Sequence, residues 1–191
     1  MVKVTNRKLQ AQATYEKIYN TAMSLVEKKG FNNITVKEIC EKAGVAVGSF
    51  YNYFNSKDDI LYEIFNKADN FFLHTVANRI EGENAKEKII NFFIHYAEYC
   101  KRDKFDQLKQ IYNTSNPMFI KKGRYMQEVL KKVVEEGIER GEICTDMSPD
   151  EVVRFLFIAL RGVIFDWCLH DGGYDLTQFA KDYTERLLKC F

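Results

Sequence analysis

The sequence predicts an all-α fold of about nine helices, a short N-terminal group followed by a longer C-terminal one. Apolar residues recur at helical spacing along nearly the whole chain, with helix start and stop signals flanking the runs. No stretch shows the strict alternation of a half-buried strand. Composition agrees: 191 residues include only 2 prolines and 10 glycines, while 46% are hydrophobic. That balance fits a compact helical protein rather than long disordered tails.

Each element has its own signal. Tyr15, Ile18, Ala22 and Leu25 share one helical face, and Lys28-Lys29-Gly30 ends that run with two cations and a glycine. Thr35-Val-Lys-Glu38 has the form of a capping box for a short helix through Ile39, Cys40 and Ala43, which Gly44 closes. A second short helix carries Phe50, Tyr51 and Phe54. Ser56 with Asp59 then caps a longer one through Leu61, Ile64, Phe65, Phe72 and Val76. Asn84-Ala-Lys-Glu87 opens a helix through Ile89, Phe92, Phe93, Tyr96 and Tyr99, and a shorter helix is expected around Phe105 to Tyr112. Asn116-Pro117 reads as an N-cap with proline at the first helical position, starting a helix through Met126, Leu130 and Val134 to Gly141. Ser148-Pro149-Asp150-Glu151 is the strongest start: cap, proline, acidic first turn and box glutamate. Asp175-Leu-Thr-Gln178 opens the last helix, whose Leu176, Phe179, Tyr183 and Leu187 share one face.

Several function classes are disfavoured. A formal net charge of +1 gives no general attraction to nucleic acid, so a binder must gather its positive charge locally. The start, Met1 to Lys8, is polar and basic with no apolar segment behind it, unlike a secretory signal. The most apolar stretch, Val152 to Cys168, is interrupted by Arg154, Arg161 and Asp166, and a membrane span needs about 20 predominantly apolar residues. Cys40, Cys100, Cys144, Cys168 and Cys190 form no CxxC pair, and His74, His95 and His170 sit in no metal-ligand spacing with them. Reduced thiols in a cytoplasmic protein, with no metal or cofactor, are the expectation. Nor is a catalytic residue expected: no nucleophile elbow, phosphate-cradling glycine loop or HExxH is present. Glu135-Glu136 and Asp58-Asp59 are adjacent pairs that point to different sides of a helix.

Residues Thr35 to Phe54 have the proportions of a helix-turn-helix. Cys40 is the small residue where the second helix crosses the first, Gly44 the turn residue, and Ile39, Val45 and Phe50 the apolar lock. In such a unit the second helix enters the major groove while the first lies across the phosphates. Around it runs the string Gly30-Phe31, Thr35-Val-Lys-Glu-Ile39, Ala43-Gly-Val45, Gly48-Ser-Phe-Tyr51, Tyr53-Phe54 and Lys57. With that string the chain resembles the TetR family of bacterial transcription regulators, closely over residues 12 to 60. Gly162-Val-Ile-Phe-Asp-Trp167 also looks like the family's penultimate helix.

The resemblance implies a helix-turn-helix DNA-binding domain over residues 1–57 and a helical ligand-binding and dimerisation domain over 58–191. It places Thr35 against a phosphate and Val47, Gly48 and Ser49 on the leading edge of the recognition helix. Tyr51 and Tyr53 would reach phosphates through their hydroxyls, and Lys57 would hold another. Arg7 and Lys8 would add non-specific attraction. Two positions depart from the family pattern. Ala46 stands where serine or threonine usually caps the recognition helix, a loss of about 1 kcal/mol. Val47 cannot hydrogen-bond a base, although it can pack on a thymine methyl.

The segment Ser148 to His170 is apolar on nearly every face, as expected of a helix with neighbours on both sides. Its own core supplies one neighbour. A twin subunit packed around a two-fold axis with the last helix supplies the other, through Phe155, Ile158, Gly162, Phe165, Phe179, Tyr183 and Leu187. In the resembling family the middle helices enclose an inducer pocket, for which Phe92, Tyr96, Tyr99, Tyr112 and Trp167 are the candidates, each an aromatic and all but Phe92 with a polar tip. The expected function is a homodimeric repressor on a palindromic, double-stranded operator, released by a small-molecule inducer. The alternative is a relative that kept the fold and acts mainly through protein partners.

Overall fold

The structure is a computed structural model and describes residues 6–102, 108–109, 111–112 and 117–191. Among them are eight α-helices and no strand, in agreement with the all-α expectation. They are α1 (Asn6–Lys29), α2 (Val36–Ala43), α3 (Val47–Tyr51), α4 (Asp58–His74), α5 (Ala85–Arg102), α6 (Tyr125–Glu139), α7 (Pro149–Leu169) and α8 (Leu176–Leu187). Most of the helix expected around Phe105 to Tyr112, like the Asn116 cap, lies outside the described residues. The chain forms two compact units, one ending at Phe65 and one beginning at Asn66. No helix among the described residues is long and apolar enough to cross a membrane.

In the first unit α1 packs on α2, and α2 on α3. The apolar stripe of α1 supplies Ile18, Ala22 and Leu25, which close with Ile34, Ile39, Phe50 and Ile60 into a core almost without solvent access. Tyr15 stacks on Phe54 at 5.1 Å between ring centroids, and Phe54 lies 5.3 Å from Phe50. The end of α2 turns where the sequence places it. Gly44 adopts φ 61°, a left-handed conformation that glycine accepts without a Cβ clash, and the Val45 N–H reaches back to Cys40 O at 3.0 Å.

In the second unit α5 is central, packed against α6, α7 and α8, while α7 also meets α6 and α8. Phe72, Phe92 and Phe93 are fully buried in its core, and Phe157 meets the rings of both Phe92 and Phe93 edge-on. The caps read from sequence operate here. Ser148 accepts from the Glu151 N–H while Glu151 Oε2 accepts from the Ser148 N–H at 2.8 Å, and Asp175 Oδ1 accepts from Thr177 and Gln178.

One helix starts later than the sequence predicts. Pro117 opens only a 3-10 turn, Pro117–Ile120, and α6 begins at Tyr125. The break has a local cause: Gly123 takes φ 71°, which no right-handed helix can pass through. The first turn of α6 is then satisfied from another helix, with Asp69 Oδ1 accepting the Met126 N–H at 3.3 Å.

All five cysteines are free thiols; Cys40, Cys100 and Cys168 are buried, Cys144 and Cys190 exposed. Burial pushes the Cys168 thiol up to about 11, and it raises Cys40 as well. Thiolates are the reactive form. In the native protein a disulfide reagent such as DTNB is therefore expected to modify two thiols rapidly, Cys144 and Cys190, and all five only after denaturation. Rapid native reaction of three or more would contradict the buried placement.

Candidate nucleic-acid interface and sensing core

Of the expected contact residues of the helix-turn-helix, Thr35, Val47, Gly48 and Tyr51 are exposed, while Ser49, Tyr53 and Lys57 are half-buried. Thr35 is the N-cap of α2, extended at φ −123° and ψ 154°, and its hydroxyl accepts the Glu38 N–H at 3.2 Å. The reciprocal half of the expected box is not made, because Glu38 instead pairs with Lys29 at 2.7 Å. Thr35 itself is exposed and keeps its hydroxyl proton for another acceptor. Helix α3 begins after Ala46, which makes no side-chain cap hydrogen bond, as its residue type requires.

Val47 is 43% exposed and Tyr51 55%. Gly48 is exposed, and a Cβ built on it would meet nothing within 4 Å. Nothing in its own chain therefore demands a glycine there. The missing side chain leaves room for a partner's backbone. Ser49 is half-buried beside it. Tyr51 leans edge-on against Phe50 at 5.5 Å, and Tyr53 lies edge-on to Tyr15 at 6.3 Å. Both rings are thus braced by the core while neither hydroxyl has a hydrogen-bond partner among the described residues.

Lys57 is held differently from a solvated lysine. Its Nζ donates to Phe31 O at 2.9 Å and Ile34 O at 3.1 Å, and it stands 4.7 Å from the Phe31 ring centroid. An ammonium has three donors. Two of them tie together the loop before α2, which leaves one without a hydrogen-bond acceptor among the described residues.

In the second unit three of the five inducer-pocket candidates lie around Phe72, whose ring is 5.0 Å from Phe92, 6.1 Å from Tyr96 and 6.2 Å from Tyr99. Tyr96 and Tyr112 share a 2.5 Å hydrogen bond between their hydroxyls. Burial raises both phenols above their usual range, so both are neutral near pH 7. Trp167 is half-buried, and its indole N–H is committed to Tyr174 O at 2.9 Å, where it fixes the turn between α7 and α8.

Three charged residues of this interior were not singled out from the sequence. Asp69 of α4 pairs with Arg124 Nε at 3.2 Å, both buried. Arg161 of α7 bonds the carbonyl oxygens of Phe157 and Phe119. The signal for Arg161 was its charge inside the most apolar run of the chain. For Asp69 and Arg124 there was none, since they lie 55 positions apart.

The outer side of α7 carries an uncovered apolar stripe. Ile158 is 57% exposed and Phe165 48%, with Phe155 and Leu169 exposed in the same row and Phe179 and Tyr183 of α8 exposed as well. Gly162 sits in that row with open space at its Cβ. Leu187 is half-buried and packs on the unit's own core.

Residues 18–64 match the family model for bacterial regulatory proteins of the tetR family, and residues 65–190 match the C-terminal region of YsiA-like proteins. The chain belongs to the TetR family. The fatty acid metabolism regulator protein of Bacillus subtilis is 24% identical to this TetR-family chain over 188 residues, 94% of this chain and 96% of its own length. Among solved structures, FadR from Bacillus subtilis in complex with stearoyl-CoA has a TM-score of 0.75 at 23% identity, over 91% of this chain and 97% of that one. FadR from Thermus thermophilus in complex with lauroyl-CoA, a TetR-family repressor, has a TM-score of 0.65 at 22% identity, over 91% and 92%. These likenesses carry the TetR fold across the described chain. Family membership makes it a DNA-binding, ligand-responsive transcription regulator.

Proposed function

We propose that this TetR-family chain is a cytoplasmic homodimeric repressor that binds a palindromic operator and is released by a small molecule held among its middle helices. In this reading residues 1–57 read the DNA and residues 58–191 sense and dimerise. The carrying observation is the surface of the helix-turn-helix: exposed Val47 and Tyr51, open Gly48, and hydroxyls on Tyr51 and Tyr53 that have no hydrogen-bond partner among the described residues. Residues at the start of a recognition helix read base edges in the major groove, while hydroxyls and lysines around it hold phosphates. Thr35, Ser49, Tyr51, Tyr53 and Lys57 take the second role, with Ser49 also in reach of a base edge. Val47 and Gly48 take the first.

Phe155, Ile158, Gly162 and Phe165 on α7, with Phe179, Tyr183 and Leu187 on α8, form the self-complementary surface for a second copy. A two-fold dimer then sets two recognition helices about 34–36 Å apart, one turn of DNA. The effector lies against Phe92, Tyr96, Tyr99, Tyr112 and Trp167. Long-chain acyl-CoA thioesters are the first class to test, because two FadR relatives bind stearoyl-CoA and lauroyl-CoA. An effector acts by binding better to a form whose two heads no longer match the operator.

The test is a DNase footprint on DNA from upstream of the protein's own gene, with and without an acyl-CoA series. The expected result is a two-fold symmetric footprint that one chain-length class removes. No footprint on any promoter fragment, with a protein partner retained instead, would overturn it.

A further inference from the structure

Helix α7 carries a full positive charge into the interior of the second unit. Arg161 is half-buried, with Nε donating to Phe157 O at 2.9 Å and Nη1 to Phe119 O. Its guanidinium lies 5.6 Å from the Phe119 ring centroid and 5.8 Å from that of Phe157. Carbonyls and aromatic faces attract a cation without neutralising it. Among the described residues no carboxylate stands at ion-pair distance from Arg161. The other interior arginine, Arg124, has Asp69 at 3.2 Å. Among the described residues Arg161 has no such partner, and burying even part of a charge without a counter-charge is costly.

The groups beside Arg161 cannot supply that counter-charge. Tyr96 and Tyr112 are neutral near pH 7, held so first by burial. Their rings connect them to the residues that hold Arg161, Tyr112 to Phe119 at 4.9 Å and Tyr96 to Phe157 at 5.9 Å. Two hydroxyls carry two protons, and the bond between them uses one. Among the described residues the other proton has only a weak partner, Cys100 Sγ at 3.8 Å from the Tyr112 hydroxyl, which an anion can displace. Phe72, Phe92 and Phe157 line this region with apolar surface.

We propose that Arg161 and the Tyr96–Tyr112 hydroxyl pair form the receptor for an anionic group on an otherwise apolar ligand, the group that answers the Arg161 charge. The inference rests on the ligand-sensing reading above and adds the chemistry that the sensing site selects. A carboxylate of a free acid and a phosphate of a coenzyme A thioester share this chemistry. Charge-assisted hydrogen bonds from a guanidinium and a hydroxyl are the interactions that would distinguish such a ligand from its neutral analogue.

The test is isothermal titration calorimetry on the full chain with dodecanoate, dodecan-1-ol, lauroyl-CoA and free coenzyme A. Dodecanoate or lauroyl-CoA is expected to bind at least about tenfold more tightly than dodecan-1-ol. Arg161→Gln should abolish that preference, Arg161→Lys should keep part of it, and Tyr96→Phe should reduce it severalfold. Competition by free coenzyme A assigns the anion to a phosphate; preference for dodecanoate without such competition assigns it to a carboxylate. Equal binding of acid, thioester and alcohol, or an anion preference that survives Arg161→Gln, overturns the site. If Arg161→Gln does not fold, the wild-type preference and Tyr96→Phe decide. Operator release by an uncharged ligand alone overturns the anion site while leaving the repressor reading in place.

Discussion

Ile158→Glu combined with Phe165→Glu is expected to convert the protein to a folded monomer that no longer binds its operator. Both side chains lie on the exposed row of α7, so their replacement removes nothing from the subunit's own core. Glutamate is also a good helix former. In the proposed dimer the same positions meet their symmetry mates, and each substitution would place carboxylates where no counter-charge is available. Two-fold symmetry doubles every such penalty. Truncation or charging of a central apolar anchor costs about 2 kcal/mol or more per site, so the pair shifts dissociation by several orders of magnitude. Light scattering should report 22.4 kDa for the double variant and twice that for the parent, with the same helical circular dichroism. A variant that remains at twice the chain mass would place the dimer face elsewhere.

The second large effect is on stability. Asp69 accepts Arg124 Nε and the Met126 N–H, so one carboxylate both answers a buried charge and caps α6. Asp69→Ala removes the described counter-charge of a buried arginine and orphans a helix N–H together. Breaking a buried pair from one side costs about 3 kcal/mol. For a chain of this size that lowers Tm by roughly 6–12 °C. Asp69→Asn keeps an acceptor for Met126 and should fall between the two. Thermal unfolding followed by circular dichroism measures both, and a drop under about 2 °C for Asp69→Ala would show that the pair contributes little.

What the sequence disclosed and what it did not divide along a physical line. Caps and turns are local, so Ser148, Asp175 and Gly44 behave as their neighbours in sequence dictate. That α7 lacks a continuous polar side was also legible, and one of its apolar rows is uncovered in the single chain. Pro117 misled because proline starts a 3-10 turn as readily as an α-helix, and the backbone at Gly123 decides which one continues. The bonds from Lys57 to carbonyls 26 and 23 positions earlier were not legible, because they join residues far apart in sequence. The pairing of Asp69 with Arg124, and the placing of Arg161 without a carboxylate partner among the described residues, exist only once α4, α6 and α7 are packed. No window of sequence contains them.

The most direct test of the account is a fluorescence-anisotropy titration with DNA from upstream of the protein's own gene, at two salt concentrations, for the parent and Gly48→Asp. A Cβ at Gly48 meets nothing in the chain, so the variant should fold with unchanged Tm. Its carboxylate would face the phosphates and fill the space that close approach requires. The parent is predicted to bind this DNA in preference to a scrambled sequence, more weakly as salt rises, and Gly48→Asp to lose about a hundredfold in affinity. Binding by Gly48→Asp equal to the parent, or parent binding indifferent to sequence and salt, would contradict the assignment of α3 as the element that reads the operator.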